Sequence, residues 1–119
     1  MVFLFEDLDV YKRAVVLAER VRQVAKSFPR GEGQLADQFR RAALSIPLNI
    51  AEGAGRFHPR EKKQFYWIAR GSCFECIPIV DLCLRAGILD GDTRDELRDE
   101  LERVAKMLTG LIRSVDEKK

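Results

Sequence analysis

The residues with chemical potential are few. Cys73-Phe74-Glu75-Cys76 is a CxxC string, and Cys83 follows seven residues later on the same helical face. A redox CxxC belongs at a strand-to-helix junction, where the helix end lowers a thiol pKa. This string lies inside a continuous helical pattern instead. A zinc site needs a fourth ligand, and the only histidine, His58, is more than four helical turns from Cys76. Buried structural thiols are therefore the expectation. His58 has no serine, cysteine or carboxylate at a nucleophile-and-base spacing, so it reads as a cap or a surface residue beside Pro59. Helical ribonucleases that pair an arginine with a histidine a few residues away are a poor match, because Arg56-Phe57-His58 is spaced too tightly. The carboxylates Glu52 and Glu75 each have an expected neutralising partner, Arg56 and Arg41. No acid–base or metal constellation remains, so the expectation is no catalytic residue, no metal and no cofactor.

The basic cluster carries more information. Arg56, Arg60, Lys62, Lys63 and Arg70 are opposed within their segment only by Glu61, and Phe57, Phe65, Tyr66 and Trp67 lie among them. Cations interleaved with aromatics suit phosphate contact plus base stacking. An ordinary solvated helix start has the same composition, so both readings stand at this point. The segment from Asp90 to Glu102 is acidic, so the charge is polarised along the sequence. Three further polar positions interrupt apolar stripes. Arg40 and Arg41 sit mid-way along the second helical pattern, with Arg41 level with Ser72 and within expected reach of Glu75. Asn49 lies among Ile46, Ile50 and Ala51 and needs a backbone or side-chain partner. With Glu52 and Glu75, these residues form an expected structural polar network or subunit contact.

Four amphipathic segments must position all of this. Apolar residues recur at spacings of three and four in each, and no run alternates with period two. The segments are expected at 8–28, 33–54, 59–86 and 93–115, within one domain spanning 1–119. The first carries Val10, Ala14, Leu17, Val21 and Val24, with Asp7 or Asp9 as cap. The second carries Leu35, Phe39, Ala42, Ala43, Ile46 and Ile50, with an expected kink near Ala43–Pro47. The third carries Phe65, Ile68, Ser72, Cys76, Ile79 and Cys83, with Pro78 inside it. The fourth opens on the capping-box spacing Thr93 to Glu96 and carries Leu97, Leu101, Val104, Leu108, Leu111 and Val115. Short connections make consecutive helices antiparallel, so the fold class is all-α, an up-down-up-down four-helix bundle. Phe65, Tyr66, Trp67 and Ile68 are consecutive and cover most of the helix circumference. Part of that surface must point outward, and Phe65, Tyr66 and Trp67 are the candidate oligomer interface.

The whole-chain balance narrows the class further. With 119 residues, 46% hydrophobic, and 21 Lys+Arg against 19 Asp+Glu, the chain is neither disordered nor a polycation. It shows no export signal and no apolar run long enough for a membrane span. An odd number of cysteines fits reduced thiols, so a cytoplasmic location and no membrane partner are expected.

The string from Leu35 to Arg56, LADQFRRAALSIPLNIAEGAGR, carries a resemblance, together with Phe28-Pro29 before it and FYWIARGSCFE from Phe65 to Glu75 after it. The chain resembles the bacterial four-helix-bundle proteins encoded in intervening sequences of large-subunit ribosomal RNA genes, often labelled an S23 ribosomal protein family. A relative of that family is the accessory variability determinant of diversity-generating retroelements. The resemblance covers nearly the whole chain. It implies a homopentameric barrel, and for the retroelement relative a basic surface that binds reverse transcriptase and nucleic acid. For the intervening-sequence members themselves no activity is established. Arg40, Arg41, Asn49, Glu52, Gly53, Arg56, Gly71, Ser72 and Glu75 match the family pattern. The functional expectation is a non-enzymatic homo-oligomeric scaffold, its partners being itself, RNA or DNA, and a nucleic-acid-processing protein such as a reverse transcriptase. In a five-fold ring the local excess of basic residues would sum to about +20. The alternative is a protein-interaction module with no nucleic-acid role.

Overall fold

The computed structural model describes residues 1–117 and is all-α, with a 3₁₀ turn over Leu4–Asp7 and helices α1 (Asp9–Lys26), α2 (Gly33–Ala54), α3 (Pro59–Arg85) and α4 (Gly91–Glu117). The expected helices lie within two residues of these bounds at every end. Lys118 and Lys119 lie outside the described residues. Each helix packs on its two neighbours around a square: α2 on α3, α3 on α4, α1 on α2 and α1 on α4. Cross-helix bonds fix the antiparallel sense. Lys63 reaches Asp116 while Arg94 reaches Asp81, and Arg13 and Arg20 of α1 reach Glu100 and Glu96 of α4.

The core is the inner stripe of each helix. Phe39, Ile46 and Ile50 of α2 meet Val21 of α1, Leu97, Leu101, Val104 and Leu108 of α4, and Val80 with the three cysteines of α3. Phe28 stacks on Phe39 with ring centres 6.3 Å apart, sealing the end where α1 hands over to α2. Pro47 and Pro78 both lie inside helices that continue past them. Continuity is tolerated because packing on both sides outweighs the one lost hydrogen bond.

Three local expectations are corrected. Neither Asp7 nor Asp9 caps α1: Leu8 is the N-cap residue and no side chain bonds the first turn. The fourth helix starts at Gly91 rather than Thr93, because Asp90 does the capping. Its carboxylate accepts from the Thr93 backbone N–H at 2.7 Å, and that bond holds the Asp90 pKa below its ordinary value. Thr93 thus receives a cap instead of supplying one. Finally, the buried stripe of α3 is rotated in its first turns: Tyr66, Ala69 and Cys73 point inward, whereas Phe65 is half-buried and Ile68 is exposed. Further along, Cys76, Ile79 and Cys83 are buried as the spacing predicts.

The α3–α4 turn explains why α4 can begin so promptly. Ile88 N–H bonds to the Cys83 carbonyl at 2.8 Å and Gly87 N–H to that of Leu84 at 3.1 Å. This is the paired closure of a Schellman motif, and it needs Gly87 at φ 74°, where a side chain would be strained.

Candidate functional site

The α2–α3 connection gathers the sequence's basic cluster at one end of the bundle, and the structure puts most of it to internal use. Lys62 faces the end of α2, its ammonium donating to the Ala54 carbonyl at 2.9 Å and lying 3.5 Å from that of Gly53. Both are carbonyls of the last turn of α2; that of Gly53 also accepts from the Arg56 backbone N–H at 3.1 Å, and Lys62 serves as a cap for that helix end. Arg56 donates to Glu52 at 2.9 Å, one helical turn back, and lies over the Phe65 ring at 4.6 Å. Lys63 pairs with Asp116 of α4 at 2.6 Å. Arg70 donates to Thr109 Oγ1 at 3.0 Å, with its guanidinium 4.6 Å from the Phe74 ring centre and 5.3 Å from that of Trp67. Of these five cations only Arg60, exposed on the first turn of α3, makes no hydrogen bond or ion pair among the described residues.

The fold also brings acids to this end. Glu6 and Asp7 of the 3₁₀ turn, Asp9 at the start of α1, and Asp116 and Glu117 at the end of α4 share it with the cations. The polarity seen along the sequence is thereby diluted in space. The cations left open to solvent here are Arg60 and, in surface pairs that hold only weakly, Arg56 and Lys63.

The expected polar network is rearranged. Arg41 is exposed and forms no bond to Glu75. Glu75 is itself exposed and accepts instead from Gln38 Nε2 at 2.8 Å, one helical turn before Arg41. The register places position 38, not 41, beside 75. Arg40 pairs with Asp37 on its own helix. Asn49 does find partners, donating to the carbonyl of Ser45 at 2.8 Å and to its Oγ at 2.9 Å. Ser72, the one buried polar side chain among the described residues, places its hydroxyl 2.8 Å from that same Ser45 Oγ. The chain Asn49–Ser45–Ser72 thus joins α2 to α3 across the seam. One serine between apolar residues, as Ser45 is, gives no signal of its own in the sequence.

The aromatic run separates sharply. Tyr66 is 3% exposed and is not an interface residue. It packs on Gly53, where an added Cβ would lie 2.6 Å from its ring. Gly53 is therefore the close-approach point that lets α2 and α3 meet. Phe65 is half-buried under Arg56. Trp67 is 51% exposed, and beyond it Phe74 and Leu82 are 55% and 54% exposed, with Gly71 and Pro78 between them. These positions recur every three to four residues on the side of α3 opposite the buried stripe. The outward ridge is legible as a second stripe once the true inward one is known. A second uncovered apolar surface comprises Leu44 and Leu48 of α2 with Val15 of α1, above a groove of about 530 Å³ reaching Tyr11 and Ala51.

The thiols are inert. Cys73, Cys76 and Cys83 are buried and unpaired, and burial pushes the first two up to about 12. Among the described residues no group of His, Cys, Asp or Glu gathers to hold a metal ion, and no helix is long and apolar enough to cross a membrane. His58 is exposed at the N-cap of α3 without a side-chain bond and meets only the edge of Phe57.

An up-down four-helix bundle is the fold that the sequence resemblance implies. The model of the 23S rRNA-intervening sequence proteins matches residues 6–110. The chain belongs to that family. The fold is shared with a protein of unknown function from the S23 ribosomal protein family of Bacteroides thetaiotaomicron. Its crystal structure superposes with a TM-score of 0.80 at 20% identity, over 87% of this chain and 97% of that one. No curated protein matches.

Proposed function

We propose that this family member is a non-enzymatic scaffold that self-assembles through its uncovered apolar surfaces and presents a repeated basic end to nucleic acid or to a nucleic-acid-processing partner. The observation that carries the assembly is the ridge of Trp67, Phe74 and Leu82 on α3, together with the separate Leu44–Leu48 surface on α2. Covering each half-exposed side chain is worth on the order of 1 kcal/mol. Two different patches on one protomer make a head-to-tail contact, which closes into a ring when the rotation permits. A homopentamer, as the family resemblance implies, is one such ring.

Repetition is what gives the basic end its reach. Arg60 is unpartnered, and Arg56 and Lys63 sit in exposed pairs that a phosphate can replace at little cost. Lys62 belongs to the fold and not to this surface. The test is a titration against structured RNA and duplex DNA at several salt concentrations, with Arg60→Gln/Lys63→Gln beside the natural protein. Binding that falls steeply with salt, with a slope lowered by roughly 2 per protomer engaged in the variant, supports the reading. An intact assembly that binds neither polymer at low salt refutes it.

One observation favours the alternative, a protein-docking module with no nucleic-acid role. Four of the five cations have partners within the chain, and acids share their end of the bundle. That reading expects a specific protein to co-purify and to stay bound after nuclease treatment.

A further inference from the structure

The N-terminal segment and the groove between α3 and α4 are both uncovered, and their chemistry is complementary. Met1, Val2, Phe3 and Leu4 project into solvent although all four are apolar. Glu6, Asp7 and Asp9 follow at once, and none of them forms an ion pair among the described residues. Glu6 accepts only from the backbone N–H of Phe3, a bond that fixes the direction of the segment. The α3–α4 groove, about 530 Å³, has Phe74, Ile77, Pro78 and Ala105 as its apolar wall and Arg70, Arg98 and Lys106 around it. Glu102, also at the groove, is bonded to Lys106. Arg98 has no partner among the described residues. Its volume lies in the ~300–1,000 Å³ range of sites that enclose a compact ligand.

The segment cannot reach this groove in its own chain. It packs on α1 and α2, whereas the groove opens on the other side of the bundle. A second copy can supply it. The segment is continuous with the Leu48–Ala51 surface through Phe5, which lines both that groove and the neighbouring hollow of Phe3, Leu4 and Glu52. The α3–α4 groove is likewise continuous with the outward ridge through Phe74 and Pro78.

We infer that the N-terminal segment of one copy crosses the α3 ridge of its neighbour and docks in the neighbour's α3–α4 groove. Phe3 and Leu4 enter the apolar floor and the carboxylates that follow meet Arg98 and Arg70. This deepens the scaffold reading and rests on it, since it requires self-association. It makes the contact between copies an arm exchange as well as a face-to-face contact, and charge complementarity sets its direction.

The experiment uses two full-length chains, Leu4→Cys with one affinity tag and Glu102→Cys with another, co-expressed and purified as a mixed assembly. A short bis-maleimide is added at neutral pH, where the three buried native thiols do not react. Both substituted positions are exposed, so the fold is retained. The expected result is a cross-linked heterodimer, at least ~10-fold more abundant than when the second cysteine replaces Arg30 at the far end, reflecting a high local concentration. A multimer by light scattering with no excess over the Arg30→Cys control overturns the docking while leaving the scaffold intact. A monomer by light scattering overturns both.

Discussion

The first turns of α3 and its outward face use the same kinds of residue for opposite ends. At the α2–α3 junction, Tyr66 and Lys62 look like surface chemistry in the sequence, yet the fold turns them inward or onto the neighbouring helix. One residue on, Trp67 begins a ridge that touches no other helix on its outer side and continues through Phe74 and Leu82. A rotation of 100° separates a side chain that holds the bundle together from one left exposed to solvent. Residue type does not decide between them; the helical phase does.

Adjacent substitutions expose that difference most strongly. Tyr66→Ala is expected to cost about 3–5 kcal/mol in chemical denaturation, since it empties a buried aromatic site. Trp67→Ala should change stability by no more than about 0.5 kcal/mol, while lowering the mass of the assembly in light scattering. Equal stability losses for the two would erase the distinction.

Gly53→Ala probes the junction from the other side. The added methyl would meet the Tyr66 ring at 2.6 Å and the Lys62 carbonyl at 3.0 Å. Overpacking at this point is expected to cost about 1–3 kcal/mol even after the gain in helix propensity. The same change at Gly71, where nothing lies within 4 Å of the new Cβ, should be neutral or stabilising for the protomer.

Lys62→Met keeps the stem and removes the cap. A loss of about 1 kcal/mol in folding stability is expected, with no change in the salt dependence of nucleic-acid binding. Arg60→Gln should do the reverse. Binding loss on Lys62→Met in a stably folded protein would return that residue to the surface cluster.

Alkaline titration gives a gentler test of the interior. The folded state raises the Cys73 and Cys76 thiols from 9.0 to about 12, so it keeps protons that the unfolded chain releases. Their contribution to stability is complete below pH 9 and declines as pH rises toward 12. Cys73→Ala/Cys76→Ala should flatten that decline, read as the Tm difference between pH 8 and pH 10. The smallest effect is expected from Asp116→Asn, at most about 0.5 kcal/mol, because the Lys63 pair is a surface one.

Much of the fold was legible because hydrophobic period is a local property. Four stripes, two prolines tolerated inside helices and a short α3–α4 turn are all written in spacing. The site was less so, for tertiary reasons. Arg41 and Gln38 differ by one helical turn, and only the packed register of α2 against α3 puts Gln38 beside Glu75. Four consecutive apolar residues, Phe65 to Ile68, give no phase on their own, and only the packing of Tyr66 on Gly53 shows which of them faces inward. The acids that dilute the basic end arrive from both ends of the chain and are invisible to a local charge count.

The most direct test of the account is the mass of the purified protein by light scattering, natural sequence against Trp67→Ala/Phe74→Ala/Leu82→Ser. A multimer that dissociates to 13.6 kDa protomers of unchanged helicity in the triple variant is the expected result. A natural protein that is already a 13.6 kDa monomer at tens of micromolar, or a variant whose assembly is undisturbed, would contradict the claim that the outward face of α3 is where copies meet.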